Sequence, residues 1–368
     1  MQLLKELWQA GVDAVGGYRA TQTALRGIDR PDRVLAVGKA AAAMARAASE
    51  QFDGVPTLVV TKDGHGDELG KVLPDQLHLI EASHPVPDAR SLAAGKALRQ
   101  AVSEMPGGSD LLLLVSGGAS SLAEDLVDGF DLPDLAALNR RLLSQGLDIA
   151  AMNAERRRIS HIKGGGLLAA FHGRRVRVLA ISDVPGDDIG VIGSGIGLCP
   201  PEARFECKSS VIASNEIARA AVAKAARAHG LAVLDNEESL HASLPDLTRS
   251  LGSRLRDMPR GVMILGGEPT VTLPANPGRG GRNQALALAL AGEIAGRPDL
   301  HLIVGGTDGT DGPTDAAGGV VDGTTWGPGA REALQRADSG TYLAQGGALL
   351  ETGPTGTNVM DLAIALRR

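Results

Sequence analysis

Aromatic rings are scarce: two Trp, two Tyr and four Phe among 368 residues. The core must therefore be Leu, Ala, Val and Ile, and no stacking platform for single-stranded nucleic acid is expected. Cysteine is scarcer. Cys199 and Cys207 are too few for a disulfide framework and wrongly spaced for zinc, so two free thiols are expected. No apolar run approaches the ~20 residues that span a bilayer. Lys5, Glu6 and Asp13 interrupt the opening residues, which read as an amphipathic helix and not a signal peptide. A net charge of −6 argues against a protein held by duplex phosphates. These absences lead to the expectation of a cytoplasmic protein with neither nucleic-acid nor membrane partners.

Glycine is plentiful instead, 49 of 368 residues, against a usual share of ~7%. It clusters in a repeated grammar: a short apolar run, a glycine-rich loop, then an Ala-rich helical stretch. Residues 34–37 lead into Gly38-Lys39, and residues 111–115 into Ser116-Gly117-Gly118-Ala119-Ser120. Residues 176–181 lead into Ser182-Asp183, residues 262–265 into Gly266-Gly267-Glu268, and residues 302–304 into 305–312. Alternating strands and helices predict α/β architecture, with parallel sheets covered by helices on both faces. Ligands in such sheets bind beyond the carboxyl ends of the strands, where these loops fall. The turn-rich stretch 199–208 places a domain boundary near 205, dividing 1–205 from 206–368. Residues 352–358 read as a hydroxyl-rich turn before a final helix.

Nucleotide motifs are missing in their common forms. Gly38-Lys39 is followed by Ala40 and Gly95-Lys96 by Ala97, so no Walker A loop is present. Residues 164–169 formally fit G-x-G-x-x-A but follow a polar stretch, which argues against a dinucleotide site. Lys39, where a strand meets a helix, suits a phosphate anchor as well as a solvated helix start. Ser116, Gly117, Gly118 and Ser120 offer backbone N–H groups and hydroxyls to an anion. Asp183 lies immediately beyond a strand; Asp187 and Asp188 read as turn caps. Gly280, Gly281, Arg282 and Asn283 join a cation to close-approach backbone at a helix start, and Arg282 can clamp phosphate or carboxylate. Glu268 places a carboxylate at another strand end, and Asp308 and Asp311 are carboxylates suited to magnesium bridging phosphates. Lys163 follows the basic run 156–158 and is a further anion candidate. His84, fixed by Pro85 and Pro87, reads as structural. With no G-x-S-x-G elbow, the sum points to phosphoryl transfer, which needs positioning and charge neutralisation more than a strong nucleophile.

In order along the chain, these residues resemble the glycerate 2-kinases whose C-terminal part is the MOFRL domain. The matching elements are Val37-Gly38-Lys39-Ala40, residues 84–88, Ser116-Gly117-Gly118, Met152-Asn153 with Arg156 and Ser160, and Ile162-Lys163-Gly164-Gly165. Later come residues 182–188, Gly266-Gly267-Glu268, residues 278–284, 307–312 and 352–358. The resemblance implies a Rossmann-like N-terminal domain, a MOFRL-type α/β C-terminal domain and an active site in the cleft. It implies ATP-dependent phosphorylation of D-glycerate, or a close hydroxy acid, at the 2-hydroxyl with Mg²⁺, by a monomer or homodimer. Lys39, Arg282, Asp308 and Asp183 would be catalytic. Glu268, Asp308 and Asp311 would hold metal, and Asn153, Lys163 and the glycine loops would contact substrate or phosphate. The chain departs from the family pattern at Gly306, Ala119, Ser83 and residues 196–199. Two rivals follow: an NAD(P)H-dependent hydroxypyruvate reductase, and a binding module that senses a phosphorylated acid.

Overall fold

Six short runs pair side by side in one direction: β1 (Arg33–Val37), β2 (Thr57–Lys62), β3 (Leu77–Ala82), β4 (Asp110–Val115), β5 (Arg175–Ile181) and β6 (Glu206–Ala213). The structure is a computed structural model that describes residues 1–70, 76–144 and 149–368. The strand order is β3-β2-β1-β4-β5-β6, with every pairing parallel. β4, Asp-Leu-Leu-Leu-Leu-Val, is buried at all its positions, as expected of a central parallel strand covered on both faces. The Ala-rich helix Ala41–Gln51 buries Ala41, Ala42, Ala45 and Ala48. Asp88 caps the helix Ala89–Ser103 and completes a capping box with Ser91. Chain direction reverses its lateral walk between β1 and β4, which is the switch point where doubly wound sheets bind ligands.

This unit comprises Gly16–Ser214 and Gly356–Asn358; the other comprises Met1–Val15, Asn215–Thr355 and Val359–Arg368. The boundary thus falls later than residue 205, because β6 pairs with β5. The opening fifteen residues also join the second unit. Their helix Gln2–Ala14 buries Leu4, Leu7, Trp8 and Val12 and packs on the helix Asn215–Ala228.

The expectation of free thiols is overturned. Cys199 and Cys207 form a disulfide, with Cα atoms 5.9 Å apart. The start of β6 carries the chain back beside the turn at 199, so eight residues suffice to close a loop. Phe205 within that loop stacks edge-on against Phe171, ring centroids 5.0 Å apart.

The second unit holds β7 (Val233–Glu238), β8 (Gly261–Gly267), β9 (Leu300–Gly306), β10 (Gly318–Asp322), β11 (Leu349–Leu350) and β12 (Asp361–Arg367). Their order is β11-β10-β9-β12-β8-β7. Only β7 and β8 run parallel; β12 lies antiparallel between β8 and β9. The chain's last segment is therefore a strand and not the expected helix. Its Leu-Ala-Ile-Ala-Leu run is too short for a stable helix and is buried on both faces. The helices Leu244–Asp257 and Arg282–Glu293 contribute Leu247, Leu251, Leu286 and Leu290 to this unit's core. No helix among the described residues is long and apolar enough to cross a membrane.

Candidate functional site

Parallel strands end on one edge of a sheet, so the loops after β1, β3, β4 and β5 gather there. Lys39 follows β1 and donates its backbone N–H to Gly117 O at 2.8 Å. Ser116 follows β4, and its fully buried hydroxyl accepts from the Ala40 N–H at 3.0 Å. These two bonds lock the Lys39 turn to the glycine loop across the switch point. Asp183 follows β5, and its Oδ2 accepts from Asn358 Nδ2 at 3.3 Å. A side chain at Gly117 would overlap the Asp183 carboxylate, so only glycine fits. At Gly118, with φ +83°, an added Cβ would stand 3.1 Å from Lys39 Cγ and 3.2 Å from His84 Nε2. Lys39, His84, Asp183 and Asn358 thus surround one glycine loop.

Behind that loop the hydroxyls form a chain. Ser120 Oγ lies 2.7 Å from Ser194 Oγ, and Ser194 donates to Asn153 Oδ1 at 3.0 Å. Ser194 adopts φ +58°, a strained value for a non-glycine residue. Asn153 is therefore committed to holding this loop. Lys163 is buried and ion-pairs with Glu124, which also accepts from Ser160 Oγ. Burial pushes the Lys163 ammonium down from its ordinary value, and Glu124 opposes that shift. Lys163 is compensated within the protein instead of presenting a bare charge to an anion.

The loop opens into a cavity of about 590 Å³, bordered by Gly118 and Ser120 and walled by Pro85, Leu132, Leu135 and Arg156. Burial depresses the Arg156 guanidinium, and its Nε donates to Asn139 Oδ1 at 3.1 Å.

In the second unit a different group forms. Asp361 opens β12 opposite Gly267 of β8 and Gly306 of β9. That register puts a buried carboxylate at the ends of two strands at once. Asp361 accepts from Arg282 Nε at 2.6 Å and Asn283 Nδ2 at 2.9 Å. Arg282 Nη1 also reaches Glu268 Oε1 at 2.7 Å. Burial opposes the Arg282 charge, but Asp361 and Glu268 prevail and raise its pKa further.

Asp311 serves differently from the sequence expectation. It accepts from the Asn283 N–H at 3.0 Å and the Gln284 N–H at 2.8 Å, capping the helix Arg282–Glu293. Any side chain at Gly281 would overlap its carboxylate. Burial pushes Asp311 up to about 6, against the pull of those two N–H bonds. Asp308 Oδ1 accepts from the N–H and hydroxyl of Thr310, both at 3.1 Å.

The expected metal set of Glu268, Asp308 and Asp311 is not gathered. Among the described residues no three His, Cys, Asp or Glu side chains come together as a metal cage. Glu268 is turned to Arg282, and Asp311 spends both oxygens on helix N–H groups. Sequence reasoning missed Glu124, Ser194 and Asp361. Only Asp361 carried a signal, a carboxylate opening an apolar run directly after a hydroxyl-rich turn.

Known proteins resemble this chain in sequence and in fold. The model described as domain of unknown function DUF4147 matches residues 3–229, and that of the MOFRL family matches residues 261–361. A glycerate 2-kinase of Pyrococcus horikoshii is 33% identical, aligned over 90% of this chain and 86% of its own. A putative hydroxypyruvate reductase of Agrobacterium vitis is 36% identical over 90% and 98%. The crystal structure of a glycerate kinase of Thermotoga maritima matches with a TM-score of 0.88 at 32% identity, covering 100% of this chain and 99% of that one.

Proposed function

The chain belongs to the DUF4147–MOFRL family that includes these glycerate 2-kinases, and from that premise we propose that it transfers the γ-phosphoryl group of ATP to the 2-hydroxyl of D-glycerate. The observation that carries the reading is the convergence of Lys39, Asp183 and the Gly117-Gly118 backbone at the switch point of a parallel sheet. That set provides a cation, a carboxylate and glycine backbone, the parts phosphoryl transfer needs.

The chemistry follows from these groups. The glycerate 2-hydroxyl oxygen bonds to the γ-phosphorus as the bond to the β–γ bridging oxygen breaks. ADP leaves, and the hydroxyl proton passes to Asp183. Lys39 stabilises charge on the phosphoryl oxygens, and Arg282 is the further cation assigned to charge neutralisation in the reaction. Arg282 is held by Asp361 and Glu268 in a fixed orientation, so little reorganisation accompanies the transfer. Ser116 and Ser120 shape the glycine loop and do not attack.

Magnesium takes one or two protein carboxylates and completes its shell with phosphate and water. Asp308 fits that sparse demand, whereas Asp311 does not. The ion would supply charge neutralisation on the nucleotide phosphates.

Coupled ADP-release assays with glycerate, tartronate, erythronate and threonate test the reading, with NMR of the product locating the phosphate. ADP release with D-glycerate and a 2-phosphorylated product is expected. NAD(P)H-dependent turnover of hydroxypyruvate without ATP would overturn it in favour of a reductase. Acid binding with no ADP release would favour a sensor.

A further inference from the structure

The cavity beside the glycine loop is too large for a three-carbon acid. At about 590 Å³ it falls among pockets for drug-sized ligands, roughly 300–1,000 Å³. Its walls are mainly apolar. Pro85, Val86 and Pro87 line it along with Leu132, Leu135 and Ala136 from the helix Leu132–Ser144. Glycerate could meet the polar edge that Asn139, Arg140 and Arg156 provide, but a three-carbon acid held there would leave most of the apolar wall uncovered.

Val86 adds an independent observation. It is 66% exposed, yet it stands between two prolines on the cavity wall. Proline on both sides limits the backbone freedom that ligand contact would otherwise remove. An apolar side chain presented this way contributes little to the folded core and is suited to cover a flat apolar ligand.

One polar edge is also set. Arg156 Nε donates to Asn139 Oδ1 at 3.1 Å. That bond orients the Asn139 amide on the cavity wall. At its other end the cavity reaches Gly118 and Ser120, and Gly118 adjoins Lys39.

Resting on the reading of an ATP-dependent kinase, we infer that this cavity seats the adenine and ribose of the nucleotide. The base lies between the Pro85–Pro87 turn and the helix Leu132–Ser144, and the phosphates leave past Gly118 toward Lys39. Shape and apolar contact hold the base in place of stacking on Phe, Tyr or Trp, none of which is among the described residues that line the cavity.

Two variants test this. Ala136→Trp fills the cavity, and Val86→Asp places a charge at a site exposed enough to leave folding intact. Each is expected to raise the KM for ATP by about tenfold or more, with the KM for glycerate unchanged. Inorganic tripolyphosphate, which has no base, should bind wild type and both variants equally in calorimetry. If the variants raise the KM for glycerate instead, the cavity holds the acid and the inference is overturned while the kinase reading stands. Unchanged kinetics in both variants overturn it as well. If wild type releases no ADP with any acid, the kinase reading fails; calorimetry with ATP then decides, and equal ATP binding by wild type and both variants, including none, refutes the pocket.

Discussion

Asp361 Oδ2 accepts from Arg282 Nε at 2.6 Å, and Asp361 Oδ1 accepts from Asn283 Nδ2 at 2.9 Å. One carboxylate therefore orients two consecutive residues at the start of the helix Arg282–Glu293. Glu268 holds the far side of the same guanidinium at 2.7 Å. Lysine has no fork with which to meet both acids.

Arg282→Ala is accordingly expected to lower kcat by about 10²–10³, the scale of a lost transition-state donor. Arg282→Lys should recover little of it. Asp361→Asn should lower kcat with little change in the KM for either substrate, because it loosens the guanidinium without removing it. Steady-state kinetics on variants whose melting curves match wild type check all three. Near-wild-type turnover in Arg282→Ala would sink the role.

The Lys163–Glu124 pair is buried, and Ser160 adds a bond to Glu124. Removing one partner strands the other charge in a low-dielectric interior, at a cost of about 3–5 kcal/mol. Lys163→Met or Glu124→Leu alone should therefore depress the melting temperature strongly. The double variant Lys163→Met/Glu124→Leu should regain much of the loss, since paired apolar replacements leave nothing uncompensated. Strictly additive losses in the double variant would contradict the coupling.

What the sequence made legible was the placement of loops at strand ends. Lys39, Ser116, Asp183 and Arg282 each follow a short apolar run or a glycine cluster, and a loop in that context announces itself locally. Groups that act through long-range partners did not. Asn153 takes its bond from Ser194, 41 residues away, and Lys163 finds Glu124 across 39. A basic residue beside Arg156-Arg157-Arg158 reads as an anion ligand until the fold buries it. Asp311 misled for a related reason: two carboxylates three apart suggest a metal, but a helix begins within reach of one of them. The final strand was ambiguous because a short apolar run has no helical period to lose.

The disulfide supplies another test. Cys199–Cys207 closes a short loop at the entry to β6. Loops of this size stabilise by about 2–3 kcal/mol when cross-linked. Cys207→Ser should lower the melting temperature of the oxidised protein, and a reductant should do the same to wild type. Reductant added to the variant should then change nothing. A wild-type melting temperature indifferent to reductant would show that the bridge does not contribute.

Glu68 contributes to the pH response. Both its oxygens are buried with no hydrogen-bond partner, and burial raises its pKa from 4.5 to about 7. The folded state thus binds a proton that the unfolded chain has already released between those values. Stability from this group is fully present below pH 4.5 and declines as pH rises through 7. The difference corresponds to about 3 kcal/mol at most. Glu68→Gln keeps the shape of the protonated acid and removes the titration. Its melting temperature should therefore match wild type near pH 5 and exceed it at pH 8. Parallel melting profiles for the two proteins across that range would mean that Glu68 finds a counter-charge or water in solution and is not held neutral.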